Sequence, residues 1–149
     1  MKSYSQKNNK FFIWTEVFNC SEIGIKAIET FFKYHKGLKL HVYGFQEDLT
    51  KIPNFENLIK VTFDKETSIL SKKLSEKKLK KGFSKGHLGT ALLWREIILN
   101  SHHDHLIHFD SDIIFLGNII EDLIHYSEKY DLVGPTRPYK HNQNNYSTS

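Results

Sequence analysis

An α/β fold, doubly wound about a mainly parallel sheet with helices on both faces, is what this sequence predicts. Short runs of β-branched and aromatic residues alternate with longer stretches of helical periodicity, and turn-forming or acidic residues close the runs, as at Asn19, Gly44, Asp64 and Asp110. With 149 residues, 39% of them hydrophobic, the chain has apolar material for one sizeable core. Strands that alternate with helices pair in parallel under two helical layers, and such sheets bind ligands outside the carboxyl ends of their strands.

Taken in order, Lys10 to Phe18 is an aromatic and β-branched run that reads as a buried first strand. It stops at Asn19-Cys20-Ser21, where Ser21 is placed to cap a helix, with Glu22 in its first turn and Ile25, Ile28 and Phe32 at helical spacing as far as His35. Leu38, Leu40, Val42 and Phe45 alternate with polar or amphipathic neighbours as a second strand, which Gly44 ends or bends. Asp48 to Phe55 is a connection containing Pro53, and Leu58 to Phe63 a third strand closed by Asp64. Thr67 to Lys81 is rich in helix formers but has a thin apolar stripe. From Leu88, the residues Ala91, Leu92, Arg95 and Ile98 mark one face of a further helix leading into the strand Leu106 to Phe109. Asn118 then caps an amphipathic helix with the stripe Ile119, Ile120, Leu123 and Ile124, and Asp131 to Pro135 reads as a last strand and turn. The expected organisation is one domain over residues 1–135 and a flexible polar tail over 136–149.

The net charge of +4 arises largely from the lysine-dense middle segment and favours an anionic partner, whether nucleic acid, an anionic membrane surface or a nucleotide diphosphate. Lys72, Lys73, Lys77, Lys78, Lys80 and Lys81 spread around a helix, so they read as a solvated face and no nucleic acid is expected. A single cysteine, Cys20, excludes an intramolecular disulfide and fits a reducing, cytoplasmic setting, with peripheral membrane association left open. The polar start and the short, interrupted apolar run after it match neither a signal peptide nor a transmembrane segment.

The chemistry concentrates in Asp110-Ser111-Asp112 at the end of an apolar strand. In extended chain, alternate side chains share a face, so the two carboxylates are expected side by side. Their mutual repulsion calls for a cation between them, and hard divalent ions prefer oxygen ligands. His102, His103, Asp104, His105 and His108 offer a rival transition-metal cluster, but His105 and His108 have opposite strand parity, which disperses them. Trp14 and Trp94 read as packing residues.

Strand-Asp110-Ser111-Asp112-strand, preceded by Lys85-Gly86-His87-Leu88-Gly89-Thr90-Ala91 and followed by Asn118-Ile119-Ile120-Glu121-Asp122-Leu123, resembles the donor-binding half of GT-A glycosyltransferases, nucleotide-diphospho-sugar enzymes with an Asp-x-Asp motif. The opening strand, turn and helix are similar to the part of that family that meets the nucleoside. The resemblance implies Mn²⁺ or Mg²⁺ as cofactor, a UDP- or GDP-sugar donor, and a glycan, lipid or protein acceptor of unknown identity. It implies that Asp110 faces ribose and metal, that Asp112 ligates the metal, and that Ser111 lies near the ribose. Lys85 and His87 would approach the nucleotide or phosphates, and Thr15, Val17 and Phe18 would line the base pocket. Family members continue well past this strand into an acceptor-binding half, so the chain is expected to be a metal-dependent glycosyltransferase lacking a complete acceptor site, or the donor-binding portion of a longer one; no catalytic base is assigned. Two other readings stand beside it. A phosphatase of the haloacid dehalogenase type also has a strand ending Phe-Asp-x-Asp, though with glycine and threonine where this chain has Ile113 and Ile114. A non-catalytic nucleotide-sugar-binding domain would keep the donor pocket without transfer.

Overall fold

A computed structural model describes residues 11–18, 22–76 and 87–131, with only the backbone of 87 and 88. Expectations for the cap at Ser21, for Cys20, for Lys77 to Lys81, for Lys85, for the side chain of His87 and for the strand and tail after Asp131 lie outside the described residues.

Four strands, β1 (Phe11–Val17), β2 (Leu40–Gly44), β3 (Leu58–Thr62) and β4 (His105–His108), form an all-parallel sheet in the order β3-β2-β1-β4. The helices are α1 (Glu22–Tyr34), α2 (Gln46–Leu49), α3 (Lys65–Ser75), α4 (His87–Ser101) and α5 (Ile120–Ser127). The chain builds outward from β1 through β2 to β3, then crosses back to add β4 on the other side of β1. That reversal makes the gap between β1 and β4 a topological switch point, the place where open α/β sheets expose a crevice at their strands' carboxyl ends.

Side-chain parity divides the core in two. Phe11, Ile13 and Val17 of β1, with Leu40, Val42 and Ile107, pack on Ile28 and Phe31 of α1 and on Ile120 and Ile124 of α5. Phe12 and Trp14 point the other way and pack on Leu93 and Ile97 of α4. Helices therefore cover both faces, as the alternation of elements implies.

Local chemistry moves several boundaries from their expected places. Helix α3 begins at Lys65, two residues before the expected Thr67, because the Asp64 side chain caps it, accepting a hydrogen bond from the Thr67 N–H at 2.8 Å. A side-chain hydrogen bond from Thr67, together with that backbone bond, holds the Asp64 carboxyl below its ordinary range. The short helix α2 occupies part of the stretch read as a plain connection. Helix α4 buries Gly89, Leu93 and Ile97 and leaves Ala91, Arg95 and Ile98 exposed, so the face chosen from the sequence is the wrong one. Apolar residues surround this helix almost evenly, and periodicity then cannot select the inner side. The small Gly89 allows α4 to approach α3: a Cβ there would lie 2.6 Å from the Ser71 carbonyl oxygen.

After β4 the chain does not resume as a strand. Ile113 to Leu116 is irregular and mostly exposed, contrary to the strand expected there. Two buried polar side chains, Thr30 of α1 and His35 just after it, hold this segment instead. The Phe115 N–H donates to Thr30 Oγ1 at 3.1 Å, while that hydroxyl donates to the Ala27 carbonyl at 3.0 Å. The Ile120 N–H donates to His35 Nε2 at 3.4 Å, satisfying one amide of α5's first turn in place of the expected Asn118 cap. For Nε2 to accept, the proton must sit on Nδ1, which lies 3.0 Å from the Phe31 carbonyl oxygen and donates to it.

Burial holds the His35 pKa below its ordinary 6.5, outweighing the Phe31 hydrogen bond and the Glu121 charge that act to raise it. A histidine depressed in the folded state supplies stability that is complete above pH 6.5 and is lost as pH falls through the window beneath that value. Urea unfolding at pH 7.5 and pH 5.5 is expected to show lower stability at the acidic value, and His35→Gln to shrink the difference. A residual slope remains from His41, whose pKa burial also lowers.

A second prediction concerns Gly44, which ends β2. A Cβ here would sit 2.7 Å from the Val17 carbonyl oxygen and 3.2 Å from Leu49 Cδ2, so Gly44→Ala must displace main chain. The expected cost is about 1–3 kcal/mol in urea unfolding, the range typical of overpacking. Gly117→Ala, where a Cβ meets nothing within 4 Å, should be close to neutral.

Candidate functional site

Registration of β1 with β4 brings the site together. Trp14 pairs with His108, and the ladder continues as the Phe109 N–H donates to the Trp14 carbonyl at 3.3 Å. Two residues further along come Glu16, which alternation within β1 puts on the same face as Trp14, and Asp110, which follows just beyond the end of β4. The ligand-capable atoms of Glu16, His108 and Asp110 all lie within 4.8 Å of one another. They occupy the carboxyl ends of the two strands at the switch point.

Glu16 is held from two sides. Trp94, on α4, donates its indole N–H to Glu16 Oε1 at 3.0 Å, while His108 Nε2 approaches Oε2 at 2.8 Å. The side chains of Glu16 and His108 are 12% and 22% exposed, so this pair is half withdrawn from water. The His108 ring is enclosed by two indoles, with centroids 4.2 Å from Trp14 and 4.6 Å from Trp94. Asp110 is exposed and forms the open side of the group. One imidazole nitrogen and two carboxylates make a donor set that suits a divalent cation, with nitrogen favouring the transition metals.

The acidic pair itself departs from the geometry expected of it. Asp110, Ser111 and Asp112 lie beyond the end of β4 in a turn closed by the Ile113 N–H donating to the Asp110 carbonyl at 3.2 Å. Strand alternation therefore does not govern them. Asp110 joins Glu16 and His108, while exposed Asp112 is not part of that group among the described residues. Ser111 sits beside the start of α1, where a Cβ on Gly24 would come within 3.8 Å of its carbonyl oxygen.

The other expected site residues divide by burial. Thr15 and Val17, expected to line a base pocket, point into the layer beneath α1 and are 0% and 1% exposed. Phe18, at the end of β1, is only partly buried and packs with Phe45 and Phe63, at centroid distances of 5.4 and 6.3 Å. Exposed Lys72 of α3 places its ammonium 4.9 Å from the centre of the Phe45 ring. Of the remaining histidines, His105 stacks on Phe11 and His103 lies against Phe12, so the opposite parity of His105 and His108 does disperse them.

Glu16, His108 and Trp94 are the residues that sequence reasoning missed as a unit. The signal available was the lone carboxylate in an otherwise apolar first strand: a charge at such a position requires a partner. Its partners stand 78 and 92 residues away, Trp94 brought to it on α4 and His108 by the pairing of β1 with β4.

No helix among the described residues is long and apolar enough to cross a membrane. The chain matches no protein-family model, no curated protein and no solved structure.

The two carboxylates differ in how far the fold depends on them. Glu16→Ala strips two half-buried donors of their acceptor and is expected to cost about 1–3 kcal/mol in urea unfolding. Exposed Asp110, changed to Asn, should alter stability by less than about 0.5 kcal/mol.

Proposed function

We propose that this chain binds a nucleoside-diphosphate sugar through a divalent cation held at Asp110 and Asp112, as the donor-binding portion of a GT-A-like glycosyltransferase. The observation that carries this reading is the position of Asp110: it emerges at the switch point of an all-parallel β3-β2-β1-β4 sheet, with two further metal-capable side chains against it. Ligands of open α/β sheets bind at that place.

A divalent ion bound there would offset the negative charge that develops on a departing diphosphate. The protein's share of the work is binding and orientation. The exposed carboxylates of Asp110 and Asp112 would hold the ion at the rim of the sheet, and Ser111 in the turn between them would face the ribose. The aromatic group of Phe18, Phe45 and Phe63 begins two residues beyond Glu16 and offers ring faces for a base, with Lys72 supplying positive charge nearby. The Thr30 and His35 bonds to Phe115 and Ile120 restrain the segment that follows the turn, limiting the reorganisation needed on binding.

Calorimetric titration of UDP, GDP and their sugars with and without Mn²⁺ tests the proposal. Binding is expected only with the metal, weakened at least tenfold in Asp110→Asn and in Asp112→Asn. Equal binding in the presence of a chelator, or no binding of any nucleotide, overturns it. Metal-dependent release of free sugar from a bound donor distinguishes an enzyme from a domain that only binds.

A further inference from the structure

We infer that Glu16, His108 and Asp110 form a transition-metal site, selective for ions of the zinc and cobalt class over Mg²⁺, that fills without any nucleotide. The two readings share Asp110 but differ in its partners: the sugar-nucleotide reading pairs it with Asp112, and this one with Glu16 and His108.

Three features carry it. First, the donor atoms come from two strands and converge within 4.8 Å of one another. Metal–ligand bonds of about 2.0–2.2 Å allow opposite ligands up to about 4.4 Å apart, so a small rotation of exposed Asp110 puts all three on one ion. Second, Glu16 is already oriented. The Trp94 indole occupies Oε1 and turns Oε2 towards His108, which is how outer hydrogen bonds fix the ligands of a metal centre. Third, the placement is asymmetric in water access: Glu16 and His108 are mostly covered, whereas Asp110 opens to solvent. Such a site keeps a free coordination position on its outer side, where water or an anionic ligand attaches.

An imidazole ligand decides the metal. Mg²⁺ takes oxygen donors and retains its waters, whereas affinity of a mixed nitrogen and oxygen site rises through the first transition row from Mn²⁺ to Co²⁺ and remains high at Zn²⁺. Binding at Nε2 replaces the hydrogen bond that now joins His108 to Glu16; the neutral imidazole then carries its proton on Nδ1, and both side chains are retained as ligands.

The two tryptophans of the chain, Trp14 and Trp94, both flank His108, so their fluorescence reports on this site in the unaltered protein. The metal-depleted full chain is titrated with CoCl₂, then challenged with ZnCl₂ or MgCl₂. Co²⁺ is expected to quench the emission, and Zn²⁺ to restore it at a concentration at least about 100-fold below any at which Mg²⁺ does so, following the preference for nitrogen-bearing sites. Absence of quenching, or recovery with Mg²⁺ as readily as with Zn²⁺, overturns the inference. Calorimetric titration with ZnCl₂ alone then assigns the ligands. His108→Gln and Asp110→Asn are each expected to weaken binding at least tenfold, and Trp94→Phe to weaken it by about tenfold or more through Glu16. His105→Gln, on the opposite face of β4, should change nothing. Equal loss in His105→Gln and His108→Gln, or none in His108→Gln, means the ion sits elsewhere and refutes the assignment. Zinc binding without nucleotide binding refutes the sugar-nucleotide reading alone, and nucleotide binding with Mg²⁺ but no site for zinc refutes this one alone.

Discussion

The pairing of β1 with β4 is the constraint on which the rest of this structure depends. One parallel register, Trp14 against His108, decides that Glu16 and Asp110 meet at the sheet's edge, that two indoles enclose one imidazole, and that Phe12 and Trp14 turn towards α4. A shift of that register by a single residue would put the apolar partners on the wrong face, so burial on both sides of the sheet fixes it firmly. The functional cluster inherits its geometry from a hydrophobic requirement.

The polar groups buried elsewhere serve the same end. Thr30 on α1 and His35 just after its end are both buried, and each reaches out to an amide of the chain beyond the acidic turn. Without secondary structure between residues 109 and 119, that segment has no ladder to satisfy its backbone. Those two side chains take over part of the work. Core packing from Phe109 and Phe115, each against Phe31, completes the attachment. The Asp110 turn is thus a loop fixed at both ends to rigid elements, a good platform for a ligand.

Much of the fold was legible in the residues. Each of the four strands has an apolar core and a clear stop, and α1 and α5 show helical periodicity, because burying one face imposes a period that the chain must carry locally. The α4 face was not legible, since Ala91, Leu92, Ile98 and Leu99 offered as good a stripe as Gly89, Leu93 and Ile97, and the choice between them rests on packing against Phe12 and Trp14 of β1 and the close approach of Gly89 to α3. The acidic turn was misjudged for a related reason: Ile113, Ile114 and Leu116 have strand-forming side chains, yet β-propensity expresses itself only where a neighbouring strand accepts the pairing.

What the sequence determined by itself is therefore the alternation of elements, the parallel α/β class, and the location of an acidic motif at a strand's end, all of which depend on local periodicity and turn chemistry. What tertiary structure alone decided is which side chains share the site. Asp110 acquired Glu16 and His108 as neighbours, and Thr15 and Val17 became covered, because the hydrogen-bonded register of β1 with β4 joins residues more than ninety positions apart. No pattern along the chain encodes that distance, since the free energy selecting it is the burial of two opposite faces at once.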